Sequence, residues 1–202
     1  MDVRELSVPG CIEFTPRQHH DPRGVFLEWF TAASFQRATG QRLHLAQTNH
    51  SGSRRGTVRG LHYALVPPGQ AKYVYCPRGA ALDVVVDIRA GSPTFGAHDT
   101  VRLDEVDRRA IYVPEGIGHA FVALTDDTTL TYLCSTAYDP EREKAIHPLD
   151  PALALPWPQD IEPVLSARDQ AAPTLAEAGE QGMLPSYGDC LERYRDLRTN
   201  GQ

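Results

Sequence analysis

Lysine is nearly absent from this chain of 202 residues: Lys72 and Lys144 are the only two among 20 basic side chains, the rest being arginines. A lysine set in an apolar stretch, as Lys72 is in Ala71-Lys72-Tyr73-Val74, therefore stands out as a chemical group rather than as routine surface charge. Basic excess is missing as well. Twenty basic against 26 acidic side chains give a net charge of -6, which repels a phosphate backbone and argues against a nucleic-acid partner. No apolar run approaches the roughly 20 residues of a membrane span. The opening Met1-Asp2-Val3-Arg4-Glu5 lacks the basic-then-apolar order of a secretory leader. A soluble, cytoplasmic protein with no membrane association is expected. The four cysteines, Cys11, Cys76, Cys134 and Cys190, stand singly with no C-x-x-C pair. That excludes a zinc knuckle and a thioredoxin-like redox motif, and leaves buried, inert thiols. Walker A, G-x-G-x-x-G and G-x-S-x-G patterns are also missing.

What is present is ordinary globular material, 41% hydrophobic and 23% charged, enough for one domain with a sizeable core. Short apolar runs broken by Gly, Pro, Asn and Asp fill the middle of the chain, the pattern of a sandwich or barrel of antiparallel strands. The clearest strand covers residues 80–89, where Leu82, Val84, Val86 and Ile88 alternate with Asp83, Val85 and Asp87. Further strands are expected at 25–30, 43–49, 57–64, 71–76, 100–103, 110–113, 119–124 and 128–136. Helical pattern is confined to 32–39, with Thr31 as N-cap, and to 187–197, where Tyr187, Leu191, Tyr194 and Leu197 form one stripe. Residues 148–185 hold seven of the 16 prolines and no strong period, which reads as an extended segment lying along the body. The whole is taken as one domain, with a β core at about 10–140 and the proline-rich segment and helix in 141–202.

Candidate chemistry gathers around Arg59-Gly60-Leu61-His62-Tyr63 and Lys72. If 57–64 and 71–76 form a hairpin about Pro67-Pro68-Gly69, then Arg59, His62 and Lys72 approach a common surface. Singly each has a plainer account: a rim arginine, a hydrogen-bonded core histidine, a snorkelling lysine. A cupin metal site would show two His at i and i+2. The eight histidines (19, 20, 44, 50, 62, 98, 119 and 147) contain no such pair, so a metal centre is disfavoured.

Several ordered blocks then resemble one family, the dTDP-4-dehydrorhamnose 3,5-epimerases of the RmlC-like cupins. They are Asp21-Pro22-Arg23-Gly24 with Phe26 and Glu28, Gln47-Thr48-Asn49-His50-Ser51, and Arg59-Gly60-Leu61-His62-Tyr63 with Lys72. Next come Asp83-Val84-Val85-Val86-Asp87-Ile88-Arg89 and Pro114-Glu115-Gly116-Ile117-Gly118-His119-Ala120-Phe121. Tyr132, Tyr138, Glu143, Trp157-Pro158 and Leu165-Ser166-Ala167-Arg168-Asp169 complete the series, which runs from about residue 12 to 169.

The resemblance implies an all-β, cupin-type jelly-roll barrel with a few short helices, including a C-terminal one. It also implies a homodimer, a dTDP-4-keto-6-deoxysugar substrate, and no metal or other cofactor. By the same resemblance His62 is the base, Asp169 its partner, Lys72 the group facing the enolate oxygen and Tyr132 the acid. Arg23, Arg59 and Arg168 would take the diphosphate. Phe26, Glu28, Gln47, Asn49, His119 and Glu143 would contact nucleotide or sugar, and Tyr138 would stack on thymine. Two departures are Arg168, where the family usually has lysine, and Ala120, where it often has glycine and where a methyl group is expected near the pocket wall. Asp83 remains a rival to Asp169 as partner of His62. Double epimerisation at C3 and C5 leads. Mono-epimerisation and a non-catalytic nucleotide-sugar-binding barrel stay open beside it.

Overall fold

The computed structural model describes residues 1–199. The chain begins with β1 (Asp2–Glu5) and β2 (Ile12–Thr15), then a ribbon of β3 (Gln18–Asp21) and β4 (Gly24–Leu27), then α1 (Ala32–Thr39). Four longer strands follow: β5 (Gln47–Ser53), β6 (Val58–Ala64), β7 (Lys72–Arg78) and β8 (Ala80–Val86). After them come β9 (His98–Asp104), β10 (Ala110–Val113), β11 (Gly118–Ala123), β12 (Thr128–Cys134) and the short β13 (Glu143–Ala145). The remainder carries α2 (Ala167–Gln170), α3 (Leu175–Glu180) and α4 (Tyr187–Thr199).

From β6 onward the chain passes back and forth between two sheets. One has the order β1-β2-β10-β7-β12-β5 and the other β13-β6-β11-β8-β9, with β3-β4 standing apart as a two-stranded ribbon. This is the expected jelly roll, except that the sheets face each other as a sandwich and are not closed into a barrel. The expected hairpin of residues 57–64 with 71–76 does not form. β6 pairs with β11 and β13, whereas β7 pairs with β10 and β12, so these two consecutive strands belong to opposite sheets. Arg59, His62 and Lys72 therefore meet across the gap between sheets rather than side by side.

Both sheets are covered on both faces, which is why so many strand positions are apolar. In β8, Ala81 and Val85 point into the core between the sheets, while Val84 and Val86 point to an outer cluster. Period-two alternation thus separates two hydrophobic layers rather than core from solvent. The outer face of the five-stranded sheet is covered by the C-terminal third, with Ile146, Leu153, Leu175 and Ala178 buried against Leu61 and Tyr63. On the six-stranded sheet, Phe35 of α1 is buried among Phe14, Tyr73 and Tyr112. α1 starts where expected: the Thr31 side chain accepts from the Ser34 N–H, and Gly40 closes the helix at φ 73°.

Residues 148–185 are not simply extended. They contain a 3-10 turn at Pro151–Leu153, then α2 and α3. Helices of four and six residues are too short to show a period. The capping box of Thr174 and Glu177 at the start of α3 was nevertheless a readable signal. α4 runs two residues past the expected end, and its stripe differs. Cys190 is the buried position, Tyr187 receives the Arg89 guanidinium over its ring, and Leu191 is exposed. The strand expected at 43–49 begins later, at Gln47. No helix among the described residues is long and apolar enough to cross a membrane.

Candidate active site

Between the sheets opens a cleft of about 540 Å³. Its one wall is made by Arg59 and His62 of β6 with His119 and Phe121 of β11, and its other by Asn49, Ser51, Lys72 and Tyr132 from β5, β7 and β12.

Strand alternation explains most of these positions. His119 and Phe121 are two apart, as are Asn49 and Ser51, so each pair shares a face. Asn49 lies opposite Tyr132, and Cys134, two residues on, lies opposite Lys72. Arg59 and His62 are three apart, and a regular strand would send them to opposite faces. The register shift resolves this: His119 pairs with His62 and Phe121 with Arg59, so three steps along β6 match two along β11. The extra residue of this bulge brings both side chains to the cleft. Gly60 sits within it at φ +124°, where a Cβ would lie 2.5 Å from the Ala120 Cβ and 2.6 Å from the His119 carbonyl oxygen. No larger residue fits there. The same contact shows that the Ala120 methyl points away from the cleft, into the outer cluster with Leu61 and Tyr63. The expectation that it narrows the pocket is therefore corrected.

His62 Nε2 lies 2.7 Å from Asp169 Oδ1, at the buried start of α2. Ser166 caps this helix by accepting from the Asp169 N–H. Burial acts to raise the Asp169 carboxyl, but the hydrogen bond and charge interaction with His62, with Ser166, outweigh it and hold the group below its ordinary value. An ionised carboxylate only accepts, so Nε2 carries the hydrogen and any base role falls to Nδ1. The His62 side chain is 24% exposed, open to a ligand in the cleft.

Asp83, the rival partner, instead holds His119, with Nε2 at 2.8 and 3.0 Å from its two oxygens. Burial raises the Asp83 carboxyl, opposed by His119 and Lys72.

The Lys72 side chain makes no hydrogen bond or ion pair among the described residues. Desolvation lowers its pKa, with Glu143, Cys134 and Asp83 pulling the other way. An ammonium held in this way is primed to receive a negative oxygen. Burial also pushes the Tyr132 phenol well up, so it is a protonated donor at neutral pH. Its hydroxyl lies 3.1 Å from Ser51 Oγ, and its ring meets His119 edge-on at 6.5 Å.

At the mouth, Arg59 donates to Ser53 Oγ and the Gly52 carbonyl, and Arg168 donates to the Glu143 carbonyl. Tyr138 is 52% exposed, and its N–H donates to Gln47 Oε1. Ten of the fourteen residues singled out from the sequence line the cleft: Asn49, Arg59, His62, Lys72, His119, Tyr132, Tyr138, Glu143, Arg168 and Asp169. Arg23, Phe26, Glu28 and Gln47 do not. Gln47 reaches in indirectly, donating to Asn49 Oδ1. Arg23, paired with Asp21, and Phe26 project from the exposed β3-β4 ribbon, and Glu28 follows it directly. Sequence reasoning missed Ser51 and Phe121 as wall residues, although each lies two residues from one that it named. Among the described residues, no three His, Cys, Asp or Glu side chains converge on a metal position.

A family model described as dTDP-4-dehydrorhamnose 3,5-epimerase matches residues 5–177. A Streptomyces niveus protein named dTDP-4-dehydrorhamnose 3-epimerase is 56% identical over 190 residues, covering 94% of this chain and 91% of its own. A Mycolicibacterium smegmatis dTDP-4-dehydrorhamnose 3,5-epimerase is 53% identical over 200 residues, covering 99% and 98%. Among solved structures, a 3'-monoepimerase from Streptomyces bikiniensis in complex with dTDP-quinovose superposes with a TM-score of 0.94 at 50% identity. That match covers 96% of this chain and 98% of that one.

Proposed function

This chain belongs to the dTDP-4-dehydrorhamnose 3,5-epimerase family, enzymes of the isomerase class, and from that premise we propose how its cleft inverts C3 and C5 of a dTDP-4-keto-6-deoxyhexose. The observation that carries the reading is the placement of His62 and Tyr132 on facing sheets, with the unpaired Lys72 ammonium lining the same space.

A ketone at C4 acidifies the hydrogens on C3 and C5, because the electrons of the broken C–H bond spread onto the keto oxygen. His62 Nδ1 takes the proton, and Asp169 steadies the imidazolium that results. Lys72 holds the enolate oxygen, the charge-stabilising role that in other enzymes contributes about 10²–10³ in rate. Tyr132 delivers a proton from the other wall, and the carbon leaves inverted. Arg59 and Arg168 suit the diphosphate, as guanidinium groups match its oxygens in pairs. Tyr138 offers a flat face to thymine. Asn49, His119 and Glu143 supply polar contacts to sugar and base.

Arg23, Phe26 and Glu28 need another explanation, because they do not line their own cleft. The β3-β4 ribbon belongs to neither sheet; Arg23 sits at its turn, and Phe26, paired with His19, is 67% exposed. In our reading the enzyme is a homodimer, and each ribbon reaches the other protomer's cleft, with Gln47 bracing Asn49 behind the ligand. Mixing inactive Arg23→Ala and His62→Ala proteins should then restore activity, because some heterodimers hold one complete site. No recovery after subunit exchange would remove the ribbon from the site.

Turnover of dTDP-4-keto-6-deoxyglucose in deuterium oxide tests the reaction itself. Double epimerisation predicts deuterium at both C3 and C5 of the product. The high identity to a relative named a 3-epimerase favours a second reading, C3-only inversion, which predicts label at C3 alone. Label at neither carbon would refute both.

A further inference from the structure

We propose that Ser51 is a positioning residue that aims the Tyr132 phenol and returns a proton to it after each inversion. This rests on the reading of Tyr132 as the acid and adds what that reading leaves open. When His62 takes a proton from the sugar, the C–H electrons pass into the enolate. When the Tyr132 O–H bond breaks, its proton goes to the opposite face of the carbon and its electrons remain as a phenolate. The sugar has neither gained nor lost a proton. The protein is left with an imidazolium and a phenolate, and both must be reset before another inversion.

The two sides differ in how that can happen. His62 is bound on Nε2 by Asp169, but its side chain is 24% exposed, so the imidazolium can release its proton to cleft water. The Tyr132 side chain is partly buried, desolvation raises its pKa, and the one hydrogen-bond partner of its phenol among the described residues is Ser51 Oγ at 3.1 Å. Ser51 lines the cleft beside it, within reach of cleft water. A hydroxyl donates and accepts at once. Facing a phenolate, Ser51 donates its hydrogen to Tyr132 and accepts one from water, so one proton leaves His62 for solvent and one from solvent reaches Tyr132. The same hydrogen bond favours the phenolate and so strengthens the acid. β5 is the edge strand of its sheet, with β12 as its only neighbour among the described residues. Pairing of Asn49 with Tyr132 and of Ser51 with Leu130 fixes Ser51 on the cleft face, one step along from the phenol.

Ser51→Ala and Ser51→Thr test this, with Tyr132→Phe as reference, by measuring inversion and solvent-deuterium exchange on the same substrate. Ser51→Ala should slow inversion by about tenfold to a hundredfold, the loss expected for one charge-assisted hydrogen bond. Exchange with retained configuration should continue near the wild-type rate, because His62 still removes and returns the proton. KM and dTDP affinity should hold, and Ser51→Thr should recover most of the inversion rate. Wild-type inversion in Ser51→Ala, an equal fall in exchange and inversion, or no rescue by threonine would each overturn the proposal. If Tyr132→Phe inverts at the wild-type rate, the acid assignment itself fails. If Tyr132→Phe loses inversion and Ser51→Ala does not, only the role of Ser51 fails.

Discussion

Two histidine–aspartate pairs stand side by side in this protein, and they are built for different work. His62 and His119 face each other across β6 and β11, yet one takes Asp169 and the other Asp83. The His62 side chain is 24% exposed and its carboxylate arrives from a helix 107 residues away. The His119 side chain is 5% exposed, and its carboxylate is fully buried on the adjacent strand, β8. Environment sets opposite directions for the two acids: hydrogen bonds and charge hold Asp169 down, and desolvation pushes Asp83 up. In the mechanism proposed above, the same pair of side chains therefore acts as an accessible base in one place and as a locked wall element in the other.

Breaking the two pairs should have unequal effects. Loss of the base, His62→Ala, should cut kcat by about 10⁴, the upper range for a general base, while dTDP affinity measured by calorimetry is kept. Lys72→Met should cost about 10²–10³ in kcat without lowering the melting temperature, since an unpaired buried charge is replaced by an apolar chain of similar length. Asp169→Asn should lower kcat by about 10², the lower range for a general base, because an amide no longer dictates the His62 tautomer. Asp83→Asn should do the reverse: a change in kcat under about tenfold, with about 1–3 kcal/mol of stability lost from a buried hydrogen bond.

The smallest difference lies in how stability follows pH. The folded-state pKa of Asp169 is depressed, so its contribution is complete above the unfolded carboxyl value of about 4 and is lost as pH falls through the folded value. Asp83 is raised, so the folded state takes up its proton first, and between the two values stability rises as pH falls. Melting curves from pH 7 to 3 should show Asp169→Asn with less acid-side loss than the wild type and Asp83→Asn with more. Identical slopes in all three proteins would cancel the distinction.

The sequence was legible where alternation rules. Residues 110–113 and 32–39 form the expected strand and helix, and the strands from β4 to β12 answer to expected ones, whereas the short β1, β2, β3 and β13 were not anticipated. It was misleading where topology decides. Pro67-Pro68-Gly69 looks like a hairpin turn but carries the chain from one sheet to the other, and only long-range pairing reveals this. Arg59 and His62 have the wrong spacing for one face, and the bulge at Gly60 that unites them depends on contact with His119 and Ala120. The choice between Asp83 and Asp169 could not be made from order along the chain, because it depends on which strand lies beside which. Ser51 and Phe121 were within reach, had the period of two been continued past Asn49 and His119.

The central claim is that one wall removes a proton and the opposite wall returns it. Single-turnover reaction of Tyr132→Phe in deuterium oxide, with the configuration of each labelled carbon determined, tests this most directly. The account predicts deuterium washed in with configuration retained and almost no inverted sugar, beside a His62→Ala protein that exchanges nothing. Inverted, labelled product formed by Tyr132→Phe at the wild-type rate would contradict it.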